Sequence, residues 1–194
     1  MTALTPPPLM IGCGIFAKEI ITLAHKNGWR LETSFLDSAL HNNLDRLSKG
    51  LTGSLAKRRD RHPIVFYGAC HPLMDRYLAE AHTIRTPGQN CIEMLLGRER
   101  FDRELEQGAY FLVEDWALNW THVMGTMFGA NPEIAAELFG TDRSYVLAIR
   151  TPCSGDFLAQ AEEAARMVKL PLVWTDVSLD HLEAVLAETL AHAP

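Results

Sequence analysis

Residues 9–20 read LMIGCGIFAKEI. Leu9 to Cys13 is apolar without alternation, the pattern of a short strand covered on both faces. Gly14 then turns the chain into a helical pattern over Ile15 to Asn27, which Gly28 closes as a residue able to take the left-handed conformation. The unit repeats downstream. Arg30 to Leu36 is a strand candidate, and Leu40 to Arg58 a long polar helix with leucines at 40, 44, 47, 51 and 55. Pro63 to Ala69 is a second apolar strand, followed by a helix over Leu73 to Ala81 and a short extended piece Thr83 to Thr86. A loop PGQN leads into one helix from Cys91 to about Glu106. Tyr110 to Val113, Tyr145 to Arg150 and Pro171 to Thr175 are the remaining strands, with helices over Ala117 to Phe139 (broken near Asn131), Phe157 to Lys169 and Leu179 to His192. Strands alternating with helices predict a mostly parallel sheet with helices on both faces, a Rossmann-like α/β fold.

Composition sets the outer limits. A chain of 194 residues, 47% hydrophobic and 22% charged, is long enough for a complete core, either as one α/β domain over residues 9–194 or as two small lobes around a cleft. The prolines at 6 to 8 end a lead, residues 1–8, expected to be disordered. A net charge of -6 argues against nucleic acid and anionic lipid as partners. No apolar run reaches the roughly 18–20 residues of a membrane span, and the opening MTALTPPPLM lacks a signal-peptide layout, so a cytoplasmic protein is expected. Four cysteines are too few for a disulfide framework and are free to serve as ligands or nucleophiles.

Their placement is the informative part. Cys13 ends the first strand, Cys70 follows PIVFYGA, Cys91 follows the loop after HTIRT, and Cys153 follows YVLAIRTP. In parallel sheets ligands sit beyond the carboxyl ends of the strands, and all four fall at that edge. Scattered burial as small apolar residues is the competing expectation. Three thiolates without a fourth protein ligand suit a cubane (4Fe-4S) iron-sulfur cluster with one iron open to substrate. Zinc is the near competitor, with His71 as a fourth ligand of a tetrahedral site.

The segments IGCGIFAKEI (11–20), VFYGACHPLM (65–74), QNCIEMLLGRERF (89–101) and AYFLVEDW (109–116) together resemble the domain-of-unknown-function family 1638. The resemblance runs from about Leu9 to the chain end and is strongest between Pro63 and Trp116. Its recurring elements map onto Cys13, Tyr67-Gly68-x-Cys70, Asn90-Cys91-Ile92 and Trp116, with Asn90 standing where the family usually has aspartate and no counterpart for Cys153. The resemblance implies company with corrinoid-dependent methyl transfer and one-carbon metabolism, which makes a corrinoid a third candidate cofactor and a methyltransferase system a candidate partner.

Gly12-x-Gly14-x-x-Ala17, with Asp37 after the next strand, also matches a dinucleotide-binding fingerprint, although Cys13 would sit where the pyrophosphate approaches. The leading expectation is therefore a metal centre on Cys13, Cys70 and Cys91, serving one-carbon or sulfur metabolism. The other is a metal-free Rossmann-like module that presents a corrinoid, nucleotide or other small molecule to a partner enzyme. Gly12, Gly14, Tyr67, Asn90 and Trp116 are the candidate cofactor-binding residues, and His71 and Glu114 the candidate proton-transfer groups. A substrate-sized cavity is expected beside the thiols, walled by Tyr67, Met94 and Trp116 and edged by His71, Asn90 and Glu114. Tyr67, Trp116 and Trp120 fill a closed core under the plainer reading, and Glu114 and Asp115 cap a helix.

Overall fold

The computed structural model describes residues 6–128 and 132–193. The break expected near Asn131 and residues 1–5 of the lead lie outside them. At the inner end of that lead, the carbonyl of Pro7 accepts from the Arg61 guanidinium at 3.0 Å and that of Pro8 from the Glu32 amide at 2.9 Å.

The first half of the chain builds a three-stranded parallel sheet from β1 (Leu9–Cys13), β2 (Glu32–Leu36) and β3 (Ile64–Phe66), in the order β2-β1-β3. Helix α1 (Ala17–Lys26) connects β1 to β2, and α2 (Leu44–Lys57) carries the chain back across to β3. Every residue of β1 and β3 is buried, as their unbroken apolar sequences require. Because the chain goes from β1 to one neighbour, β2, and then crosses back over β1 to the other, β3, the carboxyl ends of β1 and β3 flank a topological switch point, where a crevice is unavoidable. Beyond α3 (Met74–Glu80) an extended segment runs beside β3, the Val65 amide donating to Ile84 and the Thr86 amide donating back to Val65. It delivers the chain to α4 (Cys91–Leu96) at the same edge.

After α5 (Arg98–Glu106) the second half builds another three-stranded parallel sheet, β4 (Ala109–Val113), β5 (Tyr145–Arg150) and β6 (Leu172–Asp176), in sequence order. Helices α6 (Glu114–Leu118), α7 (Trp120–Phe128) and α8 (Pro132–Asp142) lie between β4 and β5, and α9 (Leu158–Val168) between β5 and β6. The last helix, α10 (Asp180–Ala191), returns to the first half, where His181 Nδ1 bonds to the Met94 carbonyl at 2.9 Å and Lys26 pairs with Glu183 at 2.7 Å. The fold is thus α/β and Rossmann-like, with two small parallel sheets sharing one apolar core. No helix among the described residues is long and apolar enough to cross a membrane.

Two expected helices are shorter than their sequence patterns. The stretch from Leu40 to Arg58 divides at Asn43, whose side chain accepts from the Arg46 amide at 3.0 Å and caps α2, leaving Leu40 on a preceding 3-10 turn. Leu47, Leu51 and Leu55, four apart, form the buried stripe of α2. The helix expected from Cys91 to Glu106 breaks at Gly97, which takes a φ of 78° and abuts the His181 ring. A side chain there would be strained on both counts.

The halves are joined by a buried polar contact: the Thr151 hydroxyl donates to Glu19 Oε1 at 2.7 Å. Burial, only partly countered by this bond, raises the Glu19 pKa. The folded state therefore binds that proton more tightly than the unfolded chain, and the stabilisation it brings at low pH is lost as pH rises through the raised value. Glu19→Gln retains an acceptor for Thr151 without the buried charge. The variant is expected to raise the unfolding midpoint at neutral pH by about 2–4 °C, with the gain shrinking in acid, as thermal unfolding at two pH values will show.

Candidate functional site

A cavity of about 680 Å³ opens at the switch point between the two sheets. Cys13, Cys70 and Cys91 all line it, from the last residue of β1, the loop after β3 and the first residue of α4. The last two are brought together by backbone approach. The Ala69 amide donates to the Gln89 carbonyl at 2.8 Å, and a Cβ on Gly68 would lie 2.2 Å from that same carbonyl oxygen. Only glycine lets the Tyr67-Gly68-x-Cys70 segment press against Gln89-Asn90, so the motif is a device for setting Cys70 beside the Cys91 loop.

Asn90 holds the other side. Its side-chain oxygen accepts from the Glu93 amide at 3.0 Å, while Glu93 Oε2 accepts from the Gln89 amide at 3.0 Å, a reciprocal cap on α4. Aspartate would fill this role as well, since either side chain presents an oxygen. Asn90→Ala is expected to cost about 1 kcal/mol of stability and Asn90→Asp almost nothing, which denaturant unfolding will measure.

The thiols are electrostatically one unit. A hydrogen bond from Cys91, outweighing burial and helped by His41, holds the Cys13 thiol well below its ordinary value. The same bond, with burial, pushes Cys91 up. Burial, with Cys13 nearby, pushes Cys70 up to about 11. All three cysteines lie close enough to Tyr67 to oppose its ionisation, which burial already disfavours. Among the described residues, however, no three His, Cys, Asp or Glu side chains stand in an arrangement that holds a metal ion.

The histidine at this cavity is His41, not His71. His41 follows β2 on the 3-10 turn Ser38–Asn42 and stacks on Trp116 with ring centroids 5.0 Å apart. His71 is turned into its own loop, Nδ1 accepting from the Leu73 amide at 3.0 Å and the ring against Tyr77. Glu114 lies in a separate cleft of about 210 Å³. Its carboxylate accepts from Lys18 at 2.8 Å and from the Gly155 amide at 3.1 Å. Tyr67, Asn90 and Trp116 do line the cavity, whereas Met94 does not. Cys153 also lies outside it, its amide donating to Thr151 Oγ1 at 3.1 Å.

Gly12 and Gly14 serve packing between strands. A Cβ on Gly12 would sit 2.8 Å from Phe66 Cβ, and one on Gly14 2.9 Å from the Leu36 carbonyl oxygen. Asp37, the acid of the dinucleotide fingerprint, is engaged at 2.9 Å by the Ala39 amide and at 3.2 Å by His122. Gly12, Gly14 and Asp37 of that fingerprint thus each have an internal structural task.

The sequence pattern did not point to Tyr110 or Arg143, which complete the cavity from the second half. His41 carried a usable signal, since it too follows a strand at the carboxyl edge.

Fold and site together define a parallel α/β protein with a thiol-lined cavity at its switch point. The chain belongs to the family described as Protein of unknown function (DUF1638), which matches residues 35–186 and so includes Cys70, Cys91 and Trp116. Cys13 precedes the matched span. No curated protein and no solved structure matches the chain.

Proposed function

We propose that the protein binds a small molecule in the cavity between its sheets and acts on it at a soft metal centre held by Cys13, Cys70 and Cys91. The observation that carries this reading is the arrival of three thiols from three separate parts of the fold at one switch-point cavity. The donor set fits the group: thiolate ligands select iron-sulfur clusters, zinc and cuprous copper, and a three-cysteine set leaves one position of a cubane iron-sulfur cluster open. Such a cluster, when bound, supplies Lewis acidity or electrons at that open position. The chain itself supplies apolar walls that exclude water, and His41 beside Cys13 to hold or deliver a proton. A zinc site would draw its fourth ligand from His41.

The metal-free binding module is favoured by a different observation, the lack of any ready-made ion-holding group among the described residues. Metal and acid-labile sulfide analysis of anaerobically purified protein decides between them. Iron with matching sulfide and a broad visible absorbance supports the cluster, and zinc alone supports the tetrahedral site. Protein free of both, which stays free after reconstitution with iron and sulfide, overturns the metal reading and leaves the module.

A further inference from the structure

Four buried side-chain polar atoms among the described residues have no hydrogen-bond partner: Tyr67 Oη, Tyr110 Oη, Trp116 Nε1 and Trp120 Nε1. Three of the four belong to residues that line the thiol cavity. A buried donor left unmade costs about 1–3 kcal/mol, so such atoms are rare, and their gathering around one cavity calls for a partner that accepts hydrogen bonds. All three are donors, the indole N–H exclusively so.

Charge narrows the partner further. In a chain of net charge -6, no aspartate or glutamate among the described residues lines this cavity. Among those residues its one permanent cation is Arg143, just past α8 and near enough to Tyr110 for its charge to be felt at the phenol. No carboxylate among the described residues pairs with that guanidinium. The remaining lining is mostly apolar, with Phe101, Phe111 and Trp116 its large rings, and His41, Gln89 and Asn90 are its uncharged polar members.

We propose that the cavity takes an organic acid with a flat apolar body, its carboxylate met by Arg143 and the phenol of Tyr110, and its body lying between the aromatic walls towards the thiols. Arginine meets a carboxylate with a planar fork of donors, and a phenol supplies a further one. The apolar body gains from burial against the rings, and a cavity of this volume lies within the range of small-ligand sites. The inference rests on the cavity being the functional site and not on the identity of the metal.

The test is calorimetric titration of the anaerobically purified protein, its metal content recorded, with hydrocinnamate, hydrocinnamamide and phenylpropylamine, which share a body and differ in head group. Hydrocinnamate is expected to bind, the amide more weakly and the amine not at all. Arg143→Gln is expected to weaken hydrocinnamate by about ten- to hundredfold with an unchanged unfolding midpoint, and Tyr110→Phe by about three- to tenfold with a midpoint at or above that of the parent, since it removes a buried donor that has no partner. Equal binding of acid and amine overturns the proposal, as does no binding of the acid at millimolar concentration or unaltered affinity in Arg143→Gln. Protein that stays metal-free after reconstitution and still selects the acid rejects the metal centre alone. Metal-loaded protein indifferent to the head group rejects the organic acid alone.

Discussion

If Cys13, Cys70 and Cys91 hold a metal as proposed, Cys91→Ser is expected to leave anaerobically purified protein with less than about one-tenth of the parent's metal, and Cys153→Ser to leave the content unchanged. The hydroxyl of serine is a hard donor that does not ionise near neutrality, so it cannot replace a thiolate on a soft metal. Cys91 is buried, lines the cavity and bonds to Cys13, so it stands at the centre of the proposed donor set. Cys153 sits past β5 at the same carboxyl edge but outside the cavity. Elemental analysis of the two variants, with Cys91→Ala to separate loss of ligand from burial of a hydroxyl, reads the difference. Loss of metal in Cys153→Ser and retention in Cys91→Ser would overturn the ligand assignment.

Among the described glycines outside the sheets, Gly68 is expected to be the one at which a change to alanine destabilises most. The new Cβ would fall 2.2 Å from the Gln89 carbonyl oxygen and 2.6 Å from Asn90 Cα, both backbone atoms that no side-chain rotation can move aside. Relief requires the two loops to part, breaking the bond from Ala69 to Gln89 and separating Cys70 from Cys91. A loss of about 3–4 kcal/mol follows, or roughly 10 °C in the unfolding midpoint. Gly53→Ala, inside α2 with nothing within 4 Å of its new methyl, is the matched control and is expected to stabilise by about 0.5–1 kcal/mol. Thermal unfolding of both variants checks the pair, and near-native stability in Gly68→Ala would show that the loops are not held by this contact.

The strands were legible because burial on both faces writes an unbroken apolar run, as in LMIGC, and the position of each cysteine relative to a strand end then followed from parallel topology. Helix ends were less legible. The stripe of Leu47, Leu51 and Leu55 continues in pattern through Leu44 and Leu40, and only the cap made by Asn43 divides it. Gly97 breaks the next helix through a positive φ that a single glycine in a polar run does not announce. Proximity in sequence also misled at the site. His71 adjoins Cys70, yet the loop folds its ring back onto the Leu73 amide, while His41, far away in the chain, is the histidine that reaches Cys13. Tyr110 and Arg143 left no local trace because their place depends on how the second sheet stands against the first.

That two-sheet construction divides the labour of the cavity. Every thiol of the cavity comes from the first half of the molecule, and Tyr110, Trp116 and Arg143 come from the second. On the proposed function, reactivity and selectivity would be separately heritable: substitutions on β4 and just past α8 would alter which molecule is admitted with the donor set left in place, and substitutions around β1 and β3 would do the reverse. A lineage built on this plan can diversify its ligands while conserving its chemistry.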